Sequence, residues 1–162
     1  MTGQGDKAKP LLAQLSGLRV PGAWDTFELS VRAILGQQVT VKGATTLAGR
    51  IVEKFGGFPS PQAMAEDDLS GIGLPAARAR SLRAVAEAFA TRSIRFAEDL
   101  RGLPGIGDWT AQYIAMRAFN EPDAFPSGDL GLIRAAGRDV EKQSEAWRPW
   151  RGYAAMHLWM EH

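Results

Sequence analysis

The chain has 162 residues, 45% apolar and 23% charged, with nineteen basic against eighteen acidic side chains and a formal net charge of +1. That balance describes a folded domain with a core, and excludes both a disordered chain and one that coats a polyanion through its overall field. The lack of cysteine excludes a disulfide scaffold, a zinc ribbon and a cysteine-ligated iron–sulfur cluster, while the absence of a long apolar run and the polar start Met1-Thr2-Gly3-Gln4 give the expectation of a soluble, cytoplasmic protein.

Residues 1–22 read as a lead-in segment, in which Leu11, Leu12, Leu15 and Leu18 fall along one short helix. The first firm helix follows Trp24. Asp25 with Glu28 forms a capping-box-like start, and Phe27, Val31, Ile34 and Leu35 repeat at helical spacing up to Gly36. A second helix begins near Thr40, carries Ala44, Leu47, Ala48, Ile51, Val52 and Phe55 on one face, and stops at Gly56-Gly57. Ser60-Pro61 caps and opens a short helix to about Glu66, with another expected over Asp67–Ser70. Pro75 opens a longer one striped by Leu82, Val85, Ala86 and Phe89.

A short helix is expected over Phe96–Leu103, and then a helix over 109–119 that Asp108 is placed to cap. Trp109, Tyr113, Ile114 and Met116 make this helix apolar nearly all round, which places it centrally. Pro122–Gly128 reads as a loop. Helices are expected over Asp129–Ala136, Asp139–Trp147 and from Pro149 onward. With no alternating strand pattern, the architecture reads as all-α with short connections, as one ordinary domain or two small helical lobes.

The run Leu103-Pro104-Gly105-Ile106-Gly107 carries the chemistry. Two glycines around one apolar residue, just before a helix, make a turn whose backbone N–H groups can face a phosphate. Asp129 downstream adds a lone carboxylate. A similar run, Leu69-Ser70-Gly71-Ile72-Gly73, is either a second hairpin or a plain joint between helices.

Together with Asp108-Trp109-Thr110-Ala111, this stretch resembles the helix–hairpin–helix DNA glycosylases that combine a Gly/Pro-rich loop with an Asp. Within them the chain is most similar to the alkylation-repair branch, DNA-3-methyladenine glycosylase II. The resemblance rests on four blocks in order: Phe27–Gln38, Leu103–Met116, Phe125–Leu132 and Trp147–Trp159. The sequence is expected to depart from fuller members in lacking their N-terminal β domain, as a minimal form or a fragment, and in short segments at Ala90–Ala97 and Gly137–Glu145.

The resemblance implies a two-lobed helical bundle with a helix–hairpin–helix motif over 23–162, the cleft lying between the lobes, and roles residue by residue. Asp129 falls on the catalytic carboxylate, although an isolated Asp in that setting is more often a helix cap than a catalyst. Trp109, Tyr113 and Trp159 fall on aromatic positions of the base pocket, where cationic rings are attracted to aromatic faces. Gly105, Ile106 and Gly107, with Thr110, fall on the DNA hold, and Gln38 on the wedge that replaces an extruded base. The carbonyls of Leu103 and Gly105 are where such a loop would hold a monovalent cation, but no metal is required and no cofactor is expected. Trp147 and Trp150 read as packing and His157 as a core histidine. Arg32, Arg117, Arg134, Arg148 and Arg151 are candidates for phosphate contact.

Relatives that also cut the strand carry lysine at the position of Trp109. The implied activity is therefore monofunctional hydrolysis of alkylated, 3-methyladenine-type bases, by a monomer acting on damaged duplex DNA. The alternatives are a non-catalytic DNA-binding module and a glycosylase for another damaged base.

Overall fold

A computed structural model describes residues 17–160, and all regular structure among them is helical. The expectation for Leu11, Leu12 and Leu15 lies outside these residues. Eight α-helices follow one another: α1 Thr26–Leu35, α2 Val41–Phe55, α3 Pro61–Glu66, α4 Ala76–Ala90, α5 Asp108–Arg117, α6 Leu130–Ala136, α7 Val140–Ser144 and α8 Arg151–Met160. Two 3-10 turns, Ala97–Leu100 and Glu145–Trp147, lie between them. No helix among the described residues is long and apolar enough to cross a membrane.

Local chemistry sets most boundaries. Asp25, Thr40, Ser60 and Asp129 each accept a backbone N–H of the helix they precede, satisfying donors that a helix start leaves free. Gly56 ends α2 in the left-handed conformation. The box at Asp25 is half formed, because the Glu28 carboxylate pairs with Arg32 instead of turning back.

Three expectations are corrected. Asp67–Ser70 is not a helix: the Asp67 and Asp68 carboxylates accept the N–H groups of Leu69 and Ser70, and each Asx turn diverts the backbone from helical bonding. The expected helix over Phe96–Leu103 shortens to one 3-10 turn, fixed by Asp99, which accepts from the N–H groups of Arg95 and Phe96. Those two bonds also hold the Asp99 carboxyl below its ordinary pKa. Asp108 does not cap α5; it is the first helical residue, and its carboxylate pairs with Arg101 at 3.1 Å.

The core divides into two clusters. One gathers Phe27, Ile34, Leu35, Ile51, Met64, Leu82 and Ile114; the other gathers Met116, Phe125, Leu132, Trp147 and Leu158. Helix α5 supplies Ala111 and Ile114 to the first and Ala115 and Met116 to the second, while Tyr113 and Phe119 touch both. Each large side chain fully buried here contributes roughly 1.5–3 kcal/mol. The two clusters therefore share α5 as their common wall. Around it α3 packs along α4, α1 against α4 and α5, and α6 against α8.

The loop Leu69–Gly73 is a joint tied to α2. Arg50 donates to the Ile72 carbonyl at 3.0 Å, and Lys54 to the Ser70 carbonyl at 2.9 Å. A side chain on Gly73 would meet the Arg50 guanidinium at 2.7 Å. Lys54 also pairs with Asp67 at 2.7 Å, and this bond raises the lysine pKa above its ordinary value.

Candidate nucleic-acid cleft

The hairpin 103–107 is built against α4. Gly105 has φ +75, and a Cβ on it would lie 2.0 Å from Ser81 Oγ. Both the backbone angle and the close approach therefore demand glycine. Gly107 differs: its φ is −81, and a Cβ there would meet nothing within 4 Å. Nothing inside the molecule requires glycine at 107, whereas an approaching backbone or phosphate would.

Ile106 turns inward. Its side chain is buried in the first cluster, and its N–H closes the turn on the Leu103 carbonyl at 3.2 Å. It braces the hairpin without presenting a group to solvent. The N–H groups of Gly105 and Gly107 donate no hydrogen bond among the described residues, and α5 begins at Gly107 without a side-chain cap. The exposed N–H groups and the positive end of the α5 dipole suit an anion.

Asp129 is the N-cap of α6. Its Oδ1 accepts from Gly131 N at 2.8 Å, Leu132 N at 3.1 Å and Trp159 Nε1 at 2.8 Å. Among the described residues its Oδ2 accepts only from Trp109 Nε1, at 3.2 Å. One oxygen is thus saturated and fixes the carboxylate, while the other keeps one lone pair for a ligand. The cap reading of Asp129 is met, and the carboxylate also lies on the wall of a cleft.

The loop before Asp129 is fastened at several points that the sequence did not disclose. Gln112 accepts the Phe125 N–H at 2.9 Å, and Gly152 donates to the Pro122 carbonyl at 2.8 Å. Arg151 grips Asp123 through two bonds of 2.9 and 3.0 Å, and Arg148 joins Asp123 to Glu145. The Arg148 bond holds the Glu145 carboxyl below its ordinary pKa. Arg148 and Arg151, named as phosphate candidates, are thus engaged as struts. Arg32 pairs with Glu28, and Arg117 donates to the Pro21 carbonyl and the Tyr113 hydroxyl. Arg134 is exposed, with no ion pair among the described residues.

These parts meet in one cleft of about 850 Å³, whose wall includes Gln37, Gln38, Gly105, Gly107, Trp109 and Asp129, with Thr110 beneath. Trp109 stacks on Tyr113 with ring centroids 5.4 Å apart and planes 14° from parallel. Tyr113 in turn lies 6.5 Å from Trp159. Neither Tyr113 nor Trp159 forms the wall itself: Tyr113 backs the Trp109 ring and Trp159 backs the carboxylate. Thr110 is buried, and its hydroxyl accepts from the Gln37 amide at 2.9 Å, so it faces the protein.

Gln38 is exposed at the rim with φ 55, flanked by exposed Val39 and Val41. The apolar surface sits beside the glutamine, not on it. Trp147 is buried as expected; Trp150 is half exposed and meets Tyr153 edge-on, so it packs only in part. His157 is buried within α8.

Asp129 is the only titratable side chain on this wall among the described residues, and the wall holds no lysine. No cluster of three His, Cys, Asp or Glu suited to a metal occurs among the described residues. The carbonyls of Leu103 and Gly105 each accept one protein donor, so a monovalent cation there would use the remaining lone pair of each.

The chain is 36% identical to DNA-3-methyladenine glycosylase 2 of Escherichia coli, over 88% of this chain and 60% of that protein. It is 38% identical to a probable bifunctional transcriptional activator/DNA repair enzyme of Mycobacterium tuberculosis, over 95% of this chain and 37% of that protein. It therefore spans less than two thirds of the length of these relatives. Among solved structures, a DNA-3-methyladenine glycosidase of Bacillus halodurans superimposes with a TM-score of 0.80 at 23% identity, covering 96% of this chain and 84% of that one. A 3-methyladenine DNA glycosylase of Schizosaccharomyces pombe in complex with abasic DNA superimposes with a TM-score of 0.70 at 24% identity, covering 98% of this chain and 91% of that one. The family described as HhH-GPD superfamily base excision DNA repair protein matches residues 31–145, and the chain belongs to it.

Proposed function

We propose that this protein is a monofunctional DNA glycosylase that releases alkylated, 3-methyladenine-type bases from duplex DNA by hydrolysis. The observation that carries this reading is the convergence of Asp129 and Trp109 on one cleft, joined by a hydrogen bond and flanked by the hairpin and Gln38. A module that only held DNA would have no use for a fixed carboxylate beside an aromatic wall. The names of the relatives point to the same chemistry.

In this reading the duplex is held at a backbone phosphate by the N–H groups of Gly105 and Gly107, and Gln38 enters the gap left by the extruded base. The cationic ring of the alkylated base lies on Trp109, a contact worth roughly 0.5–2 kcal/mol. The glycosidic bond breaks with its electron pair passing to the base, which departs neutral because it carried a formal positive charge. Positive charge grows on the sugar, and the negative charge of Asp129, through the remaining lone pair of Oδ2, stabilises it. Water then bonds to the anomeric carbon and gives up a proton to solvent, leaving an abasic site. No general acid is needed for so good a leaving group, which matches a wall with no second titratable side chain. With tryptophan at position 109 and no lysine on the wall, no Schiff base forms and the strand stays intact.

The test is incubation of the protein with methylated duplex DNA. Release of free alkylated base, with strand breaks only after alkali, is expected. DNA binding without release would favour a binding module, and breaks without alkali would contradict the monofunctional reading.

A further inference from the structure

The turn 36–39 between α1 and α2 carries Gln38, and its neighbour Gln37 does something the sequence alone does not reveal. The Gln37 side-chain amide donates both of its hydrogens across the cleft, to the Gly105 carbonyl at 3.0 Å and to Thr110 Oγ1 at 2.9 Å. Arg78 of α4 donates to the Gln37 carbonyl at 2.7 Å. The same α4 provides Ser81, against which Gly105 packs. One residue thus links the rim turn, the hairpin and the first turn of α5, while Gln38 beside it is held at φ 55. That left-handed angle is costly for a side-chain-bearing residue and persists only where the surroundings fix it.

We propose that Gln37 is a positioning residue: it fastens the Gln38 turn to the hairpin, so that the wedge enters the duplex in register with the phosphate the hairpin holds. This rests on the glycosylase reading above. An unfastened turn would leave the phosphate hold and the carboxylate intact but place Gln38 loosely. Extrusion of a paired base would then suffer, whereas a base that is already unpaired would be accepted almost as before.

Gln37→Met keeps the length of the side chain and removes both donors. Three readouts separate the outcomes. Binding to duplex DNA carrying a tetrahydrofuran abasic analogue is expected to stay within about threefold of wild type, as befits loss of two exposed or half-exposed neutral bonds. Fluorescence of 2-aminopurine placed opposite that analogue is expected to lose most of the change that wild-type binding produces. Single-turnover release is expected to fall about tenfold or more for an alkylated base in a normal pair, and less than about threefold for the same base opposite an abasic site. Thr110→Val, which removes one of the two acceptors, is expected to fall between.

Equal loss on paired and unpaired substrates would overturn the proposal in favour of a general structural role. So would an unchanged fluorescence response. Wild-type protein that perturbs the 2-aminopurine but releases no base would overturn the glycosylase reading while leaving the latch standing, so the two failures are distinguishable.

Discussion

The indole N–H of Trp159 donates to Oδ1 of Asp129 at 2.8 Å, joining the last helix to the carboxylate of the cleft. Trp109 donates to the other oxygen from the opposite side, at 3.2 Å. These two tryptophans therefore orient the carboxylate, and Trp109 furnishes aromatic surface to the cleft as well. Gly131 makes room for this: a Cβ there would lie 2.9 Å from Asp129 Oδ1 and 3.1 Å from Trp159 Cδ1.

Trp159→Phe is expected to lower single-turnover base release by roughly tenfold to a hundredfold, the range for a hydrogen bond to a charged group. Binding to abasic DNA should change little, because the hairpin is untouched. Gly131→Ala should act in the same direction by pushing the indole from Oδ1. Loss of binding in parallel with loss of release would refute this orienting role.

The two hairpin glycines should behave differently. Gly105→Ala meets both a positive φ and Ser81, and should cost about 2–4 kcal/mol of stability in thermal or denaturant unfolding. Gly107→Ala has open space and an ordinary φ, so it should unfold like wild type yet bind duplex DNA more weakly. Normal DNA affinity in Gly107→Ala would show that no ligand approaches there.

Glu121 titrates above its ordinary value of 4.5, chiefly because it is partly desolvated and secondarily because Glu98 lies near. Its ionised form therefore opposes folding. That opposition is fully present above the folded pKa and disappears as the pH falls below 4.5. Glu121→Gln should stabilise the protein at neutral pH, and the advantage should vanish below about pH 4.5 in unfolding measurements. A gain that is constant with pH would contradict this.

Much of the helical frame was legible because local signals dominate it. Asp25, Thr40, Ser60 and Asp129 cap helices where the sequence places them, and the stripe of α4 is buried as its spacing requires. Asp67, Asp68 and Asp108 misled because a carboxylate near a helix start can cap, form an Asx turn or pair with a distant arginine, and only the fold selects among these. Asp129, Trp109 and Gln38 line one cleft, and the sequence marks each of them through the hairpin and the family resemblance. Gln37 was not legible, since its partners Gly105 and Thr110 are remote in sequence and two adjacent glutamines give no hint of which one turns inward.

The central claim is that Asp129 supplies the charge that breaks the glycosidic bond. Its most direct test is single-turnover base release from methylated duplex DNA by wild type and by Asp129→Asn, with binding to abasic DNA measured alongside. Asparagine keeps the shape and one acceptor oxygen, so binding should persist while release falls about 10²–10³-fold or more, as expected for losing one preorganised electrostatic stabiliser. Unchanged release by Asp129→Asn would contradict the account.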